Sequence, residues 1–232
     1  MDIRAVIFDK DGTLFDFQST WGVWAGQMLA RLTGGDTVLL ERLSYALMYD
    51  AEARKVMPGS VIVAGTPFEI AEVIHDCMPY LSVSEILSQL NEEAETAPQV
   101  LVTDLQVLAA DLRMQGLKLC VMTNDAQRPA QAHLAAVDAL GLFDHVIGSD
   151  SGYGAKPDPS PLLALAAKMN VPAGACVMVG DSMHDLRAGH AAGMRMVAVL
   201  TGLSDIEELS TLADAVLPDV SHLPTWISAQ NL

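Results

Sequence analysis

Five short apolar runs limit what this chain can fold into: IRAVIF at 3–8, KLCVMT at 118–123, DHVIG at 144–148, CVMVG at 176–180 and RMVAVL at 195–200. They are rich in β-branched residues and show little polar alternation, as strands buried on both faces of a parallel sheet do. The four later runs each follow a stretch of helical character, at roughly 101–115, 128–140, 160–169 and 185–192. Gly116, Gly141 and Gly193 stand where three of these helices are expected to stop, and Pro157, Pro159 and Pro161 lead into the other. Strand and helix in regular alternation imply an α/β fold with a doubly wound, Rossmann-like parallel sheet as its core. The tail is expected to add a helix at 204–212, an edge strand at 214–218 and a last helix at 221–229.

Residues 17–97 break the rhythm. WGVWAGQMLARL, VLLERLSYALMYDAEARKVM, PFEIAEVIHDCM and SVSEILSQLNEEAE carry helical periodicity with no convincing strand among them. The expected domain division is therefore a core of residues 1–16 and 98–232, interrupted by an inserted all-helical cap at 17–97. A chain of 232 residues is long enough for one core and a second, smaller domain.

The formal net charge of −16 excludes nucleic acid and anionic membrane surfaces as expected partners, because both are bound through Lys and Arg. An anionic small molecule needs a local cation to reverse that field. Cys77, Cys120 and Cys176 are odd in number and read as buried free thiols of a reducing compartment. No run approaches the roughly 20 apolar residues of a membrane span, and the apolar start is too short for a signal peptide. A cytoplasmic location is the expectation.

In open α/β sheets ligands bind beyond the carboxyl ends of the strands. There the sequence places Asp9-Lys10-Asp11-Gly12-Thr13, Thr123-Asn124-Asp125, Lys156-Pro157 and Gly180-Asp181-Ser182-Met183-His184-Asp185. Any one of these aspartates alone reads as a helix cap or turn residue. Together, DKDGT, Thr123, Lys156 and GDSMHD resemble, in order and over nearly the whole chain, the four motifs of the haloacid dehalogenase superfamily. The likeness is to its phosphatases with a helical cap after the first motif, the phosphoglycolate phosphatases among them.

That resemblance implies a Mg²⁺-dependent phosphatase acting on a small phosphorylated metabolite. Asp9 would be the nucleophile and a metal ligand, Asp181 a second ligand, and the backbone carbonyl of Asp11 a third. Carboxylate and carbonyl oxygens suit Mg²⁺, which takes few protein ligands and keeps several waters. The Asp11 side chain would act as general acid and base, its presence favouring phosphate esters over carbon–halogen or carbon–phosphorus bonds. Thr123 and the amide of Asn124 would bind phosphoryl oxygens, and Lys156 would balance charge between Asp9 and the phosphate. Asp185 would hold a metal-bound water or position its neighbours.

The motifs see only the phosphoryl group, so the cap is expected to read the leaving group, with Phe17, Trp21 and Trp24 bordering the site. Lys10 is expected to turn away from the metal, toward solvent or cap. Thr13 is expected to cap its loop, His184 to be a partly exposed helix residue and Arg128 to start a helix. A phosphomutase using the same aspartates and a noncatalytic binding module on the same fold stand as alternatives.

Overall fold

The computed structural model describes residues 2–231. Eight strands occur in it: β1 Ala5–Phe8, β2 Tyr49–Asp50, β3 Lys55–Val56, β4 Lys118–Met122, β5 His145–Ile147, β6 Cys176–Gly180, β7 Arg195–Val199 and β8 Ala215–Leu217. Six of them form one sheet in the order β5-β4-β1-β6-β7-β8, and every pairing is parallel. Counted within that sheet alone the order is 3-2-1-4-5-6, the doubly wound arrangement in which the direction of winding reverses beside the first strand.

Side-chain alternation sorts the core into two layers. Val6 and Phe8 join Val121, Val177 and Val179 beneath the helices Leu105–Met114 and Leu223–Gln230. Ala5 and Ile7 face the other way, with Cys120, Met122 and Met178, against Leu162 and Leu165 of the helix Ser160–Lys168. Both faces are covered, which is why the strands read as unbroken apolar runs.

The insertion has its own core, built around Trp21, Trp24, Met28, Leu43, Ile74 and Ile86. Its helices include Val23–Thr33, Thr37–Ala46, Pro67–Cys77 and Val83–Ala94. Thr66 with Glu69 and Ser82 with Glu85 form reciprocal caps that start the last two. It is not wholly helical, however: β2 and β3 pair as a two-residue antiparallel ribbon. Asp50 accepts from the amides of Glu52 and Ala53 and so turns the chain there, and the ribbon is too short to leave a period-two signature. The segments leaving and rejoining the core lie side by side. The amide of Asp16 donates to the Val100 carbonyl at 2.8 Å, and that of Val102 to the Leu14 carbonyl at 3.0 Å.

Other boundaries shift in ways the chain explains. The helix expected to run to Gly141 is Gln127–Ala136, because Asp138 takes a left-handed turn at φ 56°. The one expected at 204–212 is a single turn, Ile206–Leu209. Among the described residues no helix is long and apolar enough to cross a membrane, and Cys77, Cys120 and Cys176 are buried and free.

Candidate active site

The reversal of winding sets the position of the site. β1 lies between β4 and β6, with Phe8 level with both Val121 and Val179. Asp9 is one residue past that level, and Thr123 and Asp181 are two residues past it, so three loops open at one point on the sheet edge. Asp9, Thr123, Asn124, Lys156, Asp181 and Asp185 are all buried there.

Lys156 is the hub of the cluster. Its Nζ donates to Asp9 Oδ1 and Asp185 Oδ1, each at 2.6 Å, and to the Met122 carbonyl at 3.0 Å. Burial opposes its charge, but Asp185 and Asp9 outweigh burial and hold its pKa above the ordinary lysine value. Asn124 fixes the lysine backbone: its Oδ1 accepts from the Lys156 amide at 2.9 Å and its Nδ2 donates to the Lys156 carbonyl at 2.8 Å. The same Nδ2 reaches the Ala64 carbonyl of the insertion at 2.7 Å. Asp185 is equally committed, since its Oδ2 accepts from the Ser182 amide and hydroxyl at 3.0 and 2.6 Å while capping the helix Met183–Ala191. Asp185 thus links Lys156 to the start of that helix.

One oxygen from each of Asp9, Asp181 and Asp185 lies within 4.8 Å of the others. Burial, with Asp185 and Asp11 adding to it and Lys156 opposing, pushes the Asp9 carboxyl up to about 7. Burial and the charges of Asp185 and Asp9 raise Asp181 well above the carboxylate range. Three carboxylates against one ammonium leave a formal charge of −2 (−3 + 1), which one divalent cation balances. The all-oxygen donor set suits Mg²⁺. The backbone leaves room for Asp181: a Cβ on Gly12, which sits at φ +82°, would come 2.6 Å from its carboxylate, and one on Gly202 would come 1.7 Å from its Oδ2. The residues present therefore fit the ion.

Lys10 meets the sequence expectation in reaching the cap at Trp21 and departs from it in being closed to solvent and paired with Asp11. It is fully buried, with Nζ 2.9 and 2.8 Å from the two oxygens of Asp11, 2.8 Å from His133 Nδ1 and 3.4 Å from Asp125 Oδ2. The Trp21 ring of the insertion lies 5.4 Å from the ammonium. Solvent is excluded because three polar partners and two aromatic rings surround this side chain. His133 Nε2 donates to the Ala94 carbonyl at 2.5 Å, so the imidazole is neutral and its Nδ1 accepts from Lys10. Burial, reinforced by Lys10, lowers its pKa to about 4. Burial raises Asp125 to about 6 against the pull of Lys10. No spacing rule in the sequence singles out His133, which appears there as one more residue of a helix.

A cavity over the cluster is lined by Asp9, Asp11, Thr123, Asn124, Lys156 and Asp181 from the core, and by Phe17, Trp21 and Trp24 from the insertion. All nine residues expected at the site therefore meet in one space. Phe17, Trp21 and Trp24 also belong to the insertion's own core. Ile62, Val63, Ile70, Leu90 and Asn91 are among the insertion's other lining residues, and His184, half-buried as expected, lines the cavity too. Arg128 is in the first turn of its helix and pairs with Glu95. Thr13 does not cap through its side chain, because Oγ1 is buried with no hydrogen-bond partner.

A sequence model of haloacid dehalogenase-like hydrolases matches residues 3–193. The phosphoglycolate phosphatase of Rhodospirillum rubrum is 30% identical over 233 residues, which cover 97% of this chain and 90% of that one. That of Escherichia coli K12 is 31% identical over 243 residues, covering 95% and 89%. Among solved structures, the β-phosphoglucomutase of Clostridium difficile superposes with a TM-score of 0.69 at 18% identity, covering 99% of this chain and 96% of that one. A phosphonoacetaldehyde hydrolase-like protein of Oleispira antarctica gives 0.70 at 20%, covering 100% and 93%.

Proposed function

The chain belongs to the haloacid dehalogenase-like hydrolases, and from that footing we propose that it is a Mg²⁺-dependent phosphatase that hydrolyses a small phosphate monoester through an aspartyl-phosphate on Asp9. The observation that carries this reading is the Asp9–Lys156–Asp185 contact at the reversal point of the sheet, with Asp11 and Asp181 beside it. The curated relatives are named for phosphoglycolate, and the phosphoryl half of such a substrate is what transfers to this chain.

The proposed chemistry follows from the chain's own groups. Lys156 holds the Asp9 carboxylate in orientation while one of its oxygens attacks phosphorus. The ester P–O bond breaks, and Asp11 gives a proton to the departing alkoxide. Asp11 then takes a proton from the water that attacks the phosphoenzyme, releasing inorganic phosphate and restoring Asp9. Thr123 and the Asn124 amide bind phosphoryl oxygens, and Lys156 shares their charge. Asp9, Asp181 and the Asp11 carbonyl would hold Mg²⁺, which supplies electrostatic stabilisation of the transferring group when bound. The insertion closes over the site and excludes water during the first displacement.

The net negative charge argues against nucleic acid or an anionic membrane as partner, and three buried free thiols favour the cytoplasm. Phosphate release from a panel of phosphorylated metabolites, with and without Mg²⁺, tests the proposal. Release that needs Mg²⁺ and Asp9 is the expected result; conversion of a sugar phosphate to its isomer without net phosphate release would establish a mutase instead.

A further inference from the structure

The insertion's wall of the cavity carries no positive charge. Its lining includes Trp21, Trp24, Ile62, Val63, Ile70 and Leu90, and each of the insertion's four Lys and Arg residues lies elsewhere, as does His75, whose Nδ1 meets the Leu81 carbonyl. Arg31 pairs with Glu93 and donates to Gln89, Arg42 donates to the Cys77 carbonyl, and Arg54 and Lys55 are exposed. On the core side Lys156 is already divided between Asp9 and Asp185. His184, the other basic side chain at the cavity among the described residues, is partly buried, which disfavours its charged form.

The phosphoryl group of a substrate has its partners at the sheet edge. A second negative charge on the leaving group would lie against tryptophan, isoleucine and leucine, with no ammonium or guanidinium to meet it. Burying an unpaired carboxylate in such surroundings is among the costliest acts in a binding site. An apolar group in the same place loses nothing and gains contact area.

One neutral polar side chain interrupts the wall. Asn91 lines the cavity, and its Oδ1 is shut away from water with no hydrogen-bond partner. Trp24 is nearly fully buried, and its Nε1 is in the same state. Buried polar atoms are rarely left unpaired, so an acceptor on Asn91 and a donor on Trp24, both lining residues, lack partners among the described residues. A hydroxyl or amide of the leaving group answers both chemistries, and a carboxylate answers only the donor.

Resting on the phosphatase reading above, we propose that this site releases an uncharged, largely apolar alcohol bearing one neutral hydrogen-bonding group that meets Asn91, and that it discriminates against the carboxylate of phosphoglycolate. Selectivity of this kind comes from the mismatch built against the wrong ligand as much as from contacts to the right one.

The test uses the full chain with Mg²⁺ and matched substrates: phosphoglycolate, its neutral amide phosphoglycolamide, propyl phosphate and acetyl phosphate. The expected kcat/KM for phosphoglycolamide exceeds that for phosphoglycolate by about tenfold or more. Val63→Lys, at a partly exposed position on the wall, should shift that ratio toward phosphoglycolate by about tenfold. Asn91→Leu should lower phosphoglycolamide relative to propyl phosphate. The ratios cancel any general loss of active enzyme in the variants. Equal or better turnover of phosphoglycolate by the unaltered protein overturns the proposal while leaving the phosphatase reading intact. Failure to release phosphate from any of the four, acetyl phosphate included, overturns both.

Discussion

Lys10 Nζ lies 2.8 Å from Nδ1 of His133, and through this contact the loop that carries Asp9 is joined to the insertion, because the same imidazole holds the Ala94 carbonyl. A buried ammonium that also meets Asp11 and approaches Asp125 ties the expected acid/base residue to the last helix of the cap.

Replacing Lys10 with Met keeps most of the volume but strips the charge from a pocket that holds two carboxylates. Breaking a buried ion pair by removing one partner costs about 3–5 kcal/mol, so Lys10→Met should lower the urea unfolding free energy by that order. The double variant Lys10→Met with Asp125→Asn should recover part of the loss, since it removes one of the stranded charges. Additive losses in the double variant would show that Lys10 and Asp125 do not interact energetically.

His133 gives a pH-dependent contribution with a defined sign. Its imidazole titrates near 4 in the folded chain, against 6.5 as the reference value. As pH falls through 6.5 the unfolded chain takes the proton first, so this contribution is fully present above pH 6.5 and is lost between 6.5 and 4. Wild type should therefore lose about 3 kcal/mol relative to His133→Gln across that window. Asp9 and Asp125, raised to about 7 and about 6, act in the opposite direction, favouring the fold as pH falls through those two values in both proteins. Urea unfolding of the pair at matched pH isolates the imidazole; parallel curves would place its pKa in the fold near the reference value.

Asp9→Asn should abolish phosphate release with the fold retained by circular dichroism, because an amide cannot attack phosphorus. Asp11→Asn should cost about 10²–10⁴-fold on alkyl phosphates and much less on aryl phosphates, whose leaving groups need little protonation. Equal losses on both classes would assign Asp11 a role in holding Lys10 alone.

The formal charge of −2 in the carboxylate cluster predicts a metal effect independent of turnover. Mg²⁺ at a hundred times its dissociation constant should stabilise the chain by about 2.7 kcal/mol, read as a rise in Tm, and chelator should remove both the rise and the activity. Ca²⁺ should stabilise without restoring activity, since it sets its ligands farther apart and more loosely. Asp181→Ala should abolish the Mg²⁺-dependent rise; its persistence would move the ion elsewhere.

The sheet and the motif loops were legible in the sequence because local rules and the global fold coincide there. An apolar strand must end at a polar turn, and in a parallel sheet that turn is where ligands meet, so Asp9, Thr123 and Asp181 could be placed before any geometry was known. Lys10 resisted the same reading. Its surroundings come from residues 123 and 115 positions away in the chain, His133 and Asp125, and no local periodicity reports such a meeting. The motif assigns Asn124 only a backbone role, yet its side chain clasps Lys156 and touches Ala64, which lies in an insertion without a recognisable motif. Ile62, Val63, Leu90 and Asn91 were likewise hidden, since a cavity lining and a helix core carry the same hydrophobic pattern.

The pairing of Asp16 with Val100 and of Leu14 with Val102 means that the insertion departs from and returns to a single spot. The sheet's strand order owes nothing to the path between them. A segment spliced at that spot is anchored to the core at one place by its ends, and again through the Ala64 and Ala94 carbonyls that meet Asn124 and His133. A change within that segment is therefore felt at the strand ends as well as at the cavity wall.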